Sequence, residues 1–382
     1  MKLNRFIIHI VLFLSMLILG EQRGFSRPLL SFFSHSNSEE FQQLISRPGV
    51  LQSLQNMGAE IRIGIVEMNE ARAKSIQTLN EAGIPVFAWI KALEVQGSTF
   101  RVDNASSLLK RYQSFKSWSD QYGLIWQGVG IDLRPKAEVM SSWVEEPVLS
   151  AWNSYLNLFN QKESELAKPL FQEFQEAVHQ DGYVLETYVL PFAMDEDPEE
   201  ASGLQYLTRI LNVNSDRVIP LCYTSYPFIS AASILDYGSR AQRVGLGSTS
   251  MPISPQKTSL QALDWEMLSR DLRLAHDVCK EIHLDNLEGI VANGWLEAIE
   301  LFDFSESVFL YSTEIEDQQT QSYISNKAFQ ALSYPLLSSI LLLFFSILII
   351  VLTIIFLRYL FSWKKKSVEP KQEEIDYEVI SS

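Results

Sequence analysis

The chain reads as an α/β protein, a (β/α)8 TIM barrel followed by a C-terminal transmembrane helix. Three observations carry that reading. Short β-like runs alternate with longer helical ones eight times between Pro28 and Leu301, the pattern of βαβ units and a parallel sheet. The eight units occupy about 270 residues, close to the ~250 typical of the barrel. The run Leu336–Leu357, LLSSILLLFFSILIIVLTIIFL, carries no charge, and a helix needs about 20 such residues to cross the hydrocarbon core of a bilayer.

The elements follow in order. Pro28–Phe33 (PLLSFF) is the first strand candidate, with a helix over Glu39–Met57. Ile61–Val66 (IRIGIV) is followed by a helix over Glu70–Ala82, and Ile84–Ile90 (IPVFAWI) by one around Ser106–Gln121. Gln127–Leu133 (QGVGIDL) leads into long helical sequence from Val148 to His179. Tyr183–Val189 precedes a helix near Glu199–Leu211, and Arg217–Tyr223 a helix over Ser230–Tyr237. Gln242–Gly247 precedes Leu260–Val278, and Glu281–Asp285 precedes Gly294–Leu301. The AGIP joint at Ala82–Pro85 puts a glycine where a helix ends and a strand begins, as C-cap chemistry requires.

Strand parity separates two faces. In QGVGIDL, Val129, Ile131 and Leu133 share one face, while Gly128, Gly130 and Asp132 share the other. The apolar set is expected to meet the helices and the small or polar set to line the barrel, with Gly128 and Gly130 leaving interior room. The competing fold is an open doubly wound sheet. It lacks the Gly-rich nucleotide turn that would support it.

The termini predict export and tethering. Lys2 and Arg5 precede the apolar stretch Phe6–Gly20, the layout of a signal peptide or an uncleaved signal-anchor. Arg358 and Lys364–Lys366 follow the C-terminal run, and basic flanks prefer the cytoplasmic side. The expected organisation is a signal segment over 1–20, a barrel over 28–304, a polar stalk over 305–332, a membrane helix over 333–361 and a cytoplasmic tail over 362–382. The large domain then sits outside the cytoplasm. The formal net charge of −15 argues against nucleic acid and against electrostatic binding of anionic lipid. Cys222 and Cys279 are the only cysteines, which excludes a disulfide-stapled scaffold and any Cys/His zinc site. No P-loop, GxGxxG or GxSxG occurs, so no cofactor and no metal is expected.

In such a barrel the active site lies at the C-terminal ends of the strands. Polar and aromatic residues gather there: Trp89 and Lys91, Asp132 and Arg134, Glu186 and Tyr188, Tyr223, Ser225 and Tyr226, then His283, Asp285 and Glu288. Carboxylates among aromatic rings suit sugar chemistry, since glycosidic cleavage needs one carboxylic acid and one carboxylate. Asp132 and Glu186 are the expected catalytic pair: both have inward parity, on neighbouring strands. Trp89, Arg134, Tyr188, Tyr223, His283 and Asp285 are expected to bind substrate. The rival role for the two carboxylates is a buried ion pair with Arg134 or Lys91. His283 and Asp285, two apart on one face, form a candidate acid-base pair. The acidic run Asp195–Glu200 reads as a solvated loop entering a helix. Glu67 has outward parity, and Asn104–Ser106 is a glycosylation pattern.

GVGIDL followed by Arg134 resembles the strand-four motif D-G-x-D-x-D-x-E of chitinase-like family 18 glycoside hydrolases. Gly130 and Asp132 match its second and fourth positions. Val129 stands at the first aspartate, Arg134 replaces the last one, and Lys136 replaces the catalytic glutamate. Leu221–Thr224 matches the family's M-x-Y-D at Tyr223 alone. The resemblance implies a barrel that acts on an extracytoplasmic polysaccharide through another acid such as Glu186 or Glu138. The alternative is a barrel that has lost catalysis and binds a glycan or a protein partner.

Overall fold

The computed structural model describes residues 27–366, apart from 94–98, 136–138, 141, 143–144, 147–152, 154–160, 197–202, 212, 227–228 and 251–261. The signal segment, Lys136, Glu138 and the tail after Lys366 lie outside the described residues.

All eight expected strands form, within one or two residues of their expected starts: β1 Leu29–Ser34, β2 Glu60–Ile65, β3 Val86–Ile90, β4 Gly128–Leu133, β5 Val184–Val189, β6 Arg217–Pro220, β7 Arg243–Gly247 and β8 Glu281–Asp285. They make one parallel sheet in the order β6-β5-β4-β3-β2-β1-β8-β7. A parallel bridge between Leu221 and Gly245 joins the two ends of that order. The sheet thus closes on itself as a barrel, which leaves no edge to protect. The outward faces follow the sequence parity. Val129, Ile131, Ile61, Ile63, Val244 and Leu246 are fully buried under the helices.

The described helices are α1 Ser38–Ile45, α2 Val50–Met57, α3 Glu70–Glu81, α4 Ala105–Tyr122, α5 Gln161–Gln180, α6 Gly203–Thr208, α7 Ala232–Ala241, α8 Trp265–Val278, α9 Leu287–Ala292, α10 Leu296–Glu300, α11 Ser312–Leu332 and α12 Pro335–Lys366. Caps explain several starts. Asn37 closes a capping box with Glu40, while Asn69 and Asp264 accept from the first turns of α3 and α8. Gly83 has a φ of +70° after α3, and its N–H returns to the Asn80 carbonyl at 3.0 Å, so the AGIP joint is the C-cap it was read as.

Three expectations change. The helix over Glu39–Met57 is two helices, because Pro48 lacks an N–H and Gly49 takes a φ of +84°. The helix expected over Gly294–Leu301 forms as α10, and a further short helix, α9, precedes it directly after β8. The polar stretch expected as a stalk folds as α11 and is held against the barrel. Gln318 accepts from Ser230 and Ser233 of the α7 entry, and Ser322 and Asn326 donate to Asp195. Polar side chains there make a docking face, which hydropathy alone reads as solvent-facing.

The chain forms two compact units, Met1–Ser333 and Tyr334–Ser382. In the second, α12 runs for 32 residues through the whole apolar run. Its described side chains, Leu343, Phe344, Ile347, Ile350 and Ile354 among them, are exposed. Among the described residues no helix is long and apolar enough to cross a membrane.

Candidate functional site: the barrel mouth

The barrel interior is layered, and each layer follows from residues two apart on a strand. In the middle layer Arg62 of β2 reaches across to Glu186 of β5. Its Nε and Nη2 donate to the two carboxylate oxygens at 3.0 and 2.9 Å. Both side chains are 0% exposed. The guanidinium also donates to Ser31 and Glu60 and stacks over Phe87 at 4.1 Å. Burial acts to raise the Glu186 pKa, but Arg62 outweighs it and holds the carboxyl below its usual range. Glu186 is therefore a buried, ionised counterion.

The next layer upward is aromatic. Phe33, Trp89 and Tyr188 meet edge to face, with ring centroids 4.9 to 5.8 Å apart. Tyr188 Oη donates down to Glu186 at 3.1 Å and fills the space beside Gly130, where a Cβ would collide with its ring. Phe87 does the same beside Gly128. The two glycines leave room for these rings, so the interior void expected from the glycines is filled.

Above the rings lies the mouth. Asp132 is bound by Arg134 through Nε at 2.7 Å and Nη2 at 2.5 Å. Asp285 accepts from His35 Nε2 at 2.8 Å and from Tyr223. Burial would raise its pKa; His35 and Tyr223 reverse that and hold it low. Lys91 Nζ lies 3.1 Å from His35 Nδ1 and 4.0 Å from the Trp89 ring centre. Burial pulls its pKa down to about 8, against the attraction of Asp132 and Asp285. Glu288 Oε1 accepts from Ser34, Ser36 and the His35 and Ser36 N–H groups. Tyr223 and Tyr226 are parallel, 6.2 Å apart.

The structure therefore divides the expected residues. Trp89, Asp132, Arg134, Tyr223 and Asp285 come together at the mouth. Glu186 does not join Asp132, although both face inward. The register pairs Asp132 with Tyr188 and places Glu186 opposite Gly130, one layer down and beneath the ring of Tyr188. His283 lies in the same lower layer, pairs in register with Ser31 and is 0% exposed. Burial and the adjacent Arg62 lower its pKa to about 4, so it is a neutral core residue. The acid-base pair expected between His283 and Asp285 does not form; Asp285 takes its histidine from β1 instead.

His35, Lys91 and Tyr226 complete the mouth and were not among the expected binding residues. The signal for the first two was present. His35 extends the inward series Ser31, Phe33, and Lys91 extends Phe87, Trp89, each one step past the strand end.

Other expectations resolve locally. Glu67 accepts from the N–H and hydroxyl of Ser38, a structural role that suits its outward parity. Asp195 is buried, held by Tyr237 at 2.9 Å and Arg240 at 3.0 Å, so the start of the acidic run is an anchor for α11 where a solvated loop was expected. Asn104 is buried, and its amide donates to the Thr99 carbonyl at 2.7 Å, which leaves it unsuited to carry a glycan. Among the described residues no group of acidic, histidine or cysteine side chains is placed to hold a metal.

No known family pattern matches the chain, and no curated protein does. Among solved structures the chain bears a remote resemblance to barrels of family 18. It is 11% identical to a GH18 chitinase from Pseudoalteromonas aurantia, with a TM-score of 0.40, covering 71% of this chain and 98% of that one. It is 11% identical to the GH18 chitinase ChiB of Flavobacterium johnsoniae, with a TM-score of 0.38 over 72% and 93%. An AP endonuclease from Brucella melitensis is 9% identical, with a TM-score of 0.37 over 70% and 98%. At this distance the likeness says nothing about the chemistry of the mouth.

Proposed function

We propose that the chain is a membrane-tethered, glycoside-hydrolase-like barrel that binds an extracytoplasmic glycan and has lost hydrolysis. One observation carries the reading. Each carboxylate expected to do the cleavage is engaged by its own guanidinium, Asp132 by Arg134 and Glu186 by Arg62. A retaining or inverting hydrolase needs two carboxyl groups facing one glycosidic bond. Here Tyr188 lies between the two layers, and an aspartate whose two oxygens both accept from one guanidinium is poorly placed to hand a proton to a leaving group. What is left suits binding. Trp89, Tyr223 and Tyr226 offer apolar ring faces, and Arg134, His35 and Asp285 offer hydrogen bonds around them. Trp89 Nε1 has no partner among the described residues and would serve a ligand oxygen.

The tether belongs to the same proposal and rests on the uncharged run Leu336–Leu357, its basic flank and the solvent-facing apolar side chains of α12. The cost of leaving such side chains in water favours a bilayer around them.

A glycan array probed with the detergent-solubilised full chain tests the reading. Binding is expected, and Tyr226→Ala should weaken it about tenfold, the loss of about 1.4 kcal/mol of ring contact. Silence across the array would remove the glycan. Hydrolysis of a chromogenic chito-oligosaccharide that disappears in Asp132→Asn would replace binding with catalysis. For the tether, protease added to intact cells should digest the region 28–326 and spare the tail after Lys366.

A further inference from the structure

Lys91 is the mouth group that neither the family motif nor the glycan reading uses. It is the inward residue one step past β3, and its stem lies over Gly64, where an added Cβ would sit 3.0 Å from Lys91 Cε. Glycine at that position clears a channel for the lysine along β2. The mouth carboxylates Asp132 and Asp285 are already bound by Arg134 and His35. Lys91 takes part in no ion pair within 4.0 Å among the described residues. Its Nζ faces His35 Nδ1 at 3.1 Å instead.

The direction of that contact follows from the donors available. An ammonium has no acceptor, so His35 Nδ1 accepts from Lys91, and His35 Nε2–H donates to Asp285. Asp285 is fixed in turn by Tyr223. A nucleophile, a base beside it and a carboxylate that orients the base are the parts of an activated-nucleophile site.

We propose that Lys91 forms an imine with an aldehyde or ketone ligand in the barrel mouth. His35 removes a proton from the ammonium, and the amine lone pair attacks the carbonyl carbon to form a carbinolamine. The C–O bond then breaks, and the hydroxyl leaves as water with the proton returned by His35. One carbonyl and one amine give one imine and one water, with no oxidant or cofactor. Trp89 beneath the nitrogen would stabilise the iminium as it stabilises the ammonium. The site needs a carbonyl compound small enough to lie over Trp89 and does not depend on the glycan reading.

Burial supports the assignment, because it lowers the Lys91 pKa to about 8 and leaves a larger share of free amine at neutral pH than an ordinary lysine has.

The test uses the full chain in detergent micelles with D-glyceraldehyde as the carbonyl and sodium cyanoborohydride to reduce the imine to a stable secondary amine. Peptide mass spectrometry reads each lysine separately. At pH 7, Lys91 should be modified at least tenfold faster than the exposed Lys74 and Lys168, which are 63% and 44% exposed. Its rate should reach half its maximum near pH 8, below the roughly 10.4 of a free lysine side chain. His35→Asn should slow Lys91 alone. Lys91→Met should abolish the fast adduct while its circular dichroism stays native. Modification of Lys91 no faster than that of Lys74, or with the same pH profile, overturns the proposal.

Discussion

Two of the barrel's bidentate arginine–carboxylate pairs differ in depth. Arg62–Glu186 lies under the aromatic layer with both side chains fully buried. Arg134–Asp132 lies above it, with the arginine side chain 15% exposed. The lower pair spans the barrel from β2 to β5, whereas the upper joins Asp132 near the end of β4 to Arg134 just past it. The lower pair is a structural cross-brace, sealed by Phe87 and Tyr188. The upper pair stands at the mouth, and its arginine keeps part of its hydration. Equal geometry therefore has unequal consequences, because the cost of an unpaired charge rises as water is removed.

The largest expected effect breaks the lower pair. Arg62→Met leaves buried Glu186 with only the longer contact to Arg217 at 3.5 Å and should cost about 3–5 kcal/mol, measured by urea unfolding of the solubilised chain. Asp132→Asn in the upper pair should cost less, about 1–3 kcal/mol. Equal losses would erase the distinction of depth.

A second effect reads the lower layer through pH. His283 is neutral in the folded chain, with its pKa lowered from 6.5 to about 4. The unfolded chain takes up the proton first as pH falls. Stability is thus complete above about 6.5 and declines from there to about 4, by about 3 kcal/mol for a shift of this size. Burial works against ionised Glu281, but His283 and Arg243 hold its pKa low, which adds loss in the same direction at still lower pH. Thermal melts at pH 7 and 4.5 should differ strongly in the native chain, and His283→Gln should flatten the difference.

The smallest effect has the opposite sign and belongs to the mouth. Lys91 keeps a charge that burial disfavours, so Lys91→Met should stabilise the protein at pH 7 by on the order of 1 kcal/mol. A destabilised Lys91→Met would make the lysine a structural brace like Arg62.

Much of this was legible in the residues themselves. The barrel was, because eight alternations of period and the parity within QGVGIDL are local patterns that a parallel sheet must obey. The inward direction of Asp132, Glu186, His283 and Asp285 was legible for the same reason. Their partners were not. Asp132 and Glu186 look equivalent by parity, yet a register in which Asp132 meets Tyr188 and Gly130 meets Glu186 sets them in different layers. His35 lies 250 residues from Asp285, and Arg62 lies 124 from Glu186. No local pattern could join either pair.

By itself, then, the sequence determined the strand and helix periods, the face each side chain takes, and the uncharged C-terminal run. The tertiary structure alone decided depth. Closing the sheet fixes the stagger between strands, and the stagger sets whether an inward carboxylate ends beneath an aromatic ring beside a fully buried guanidinium or at the mouth beside a partly exposed one. Period along a strand is a property of the chain, but height in a barrel is a property of eight strands at once.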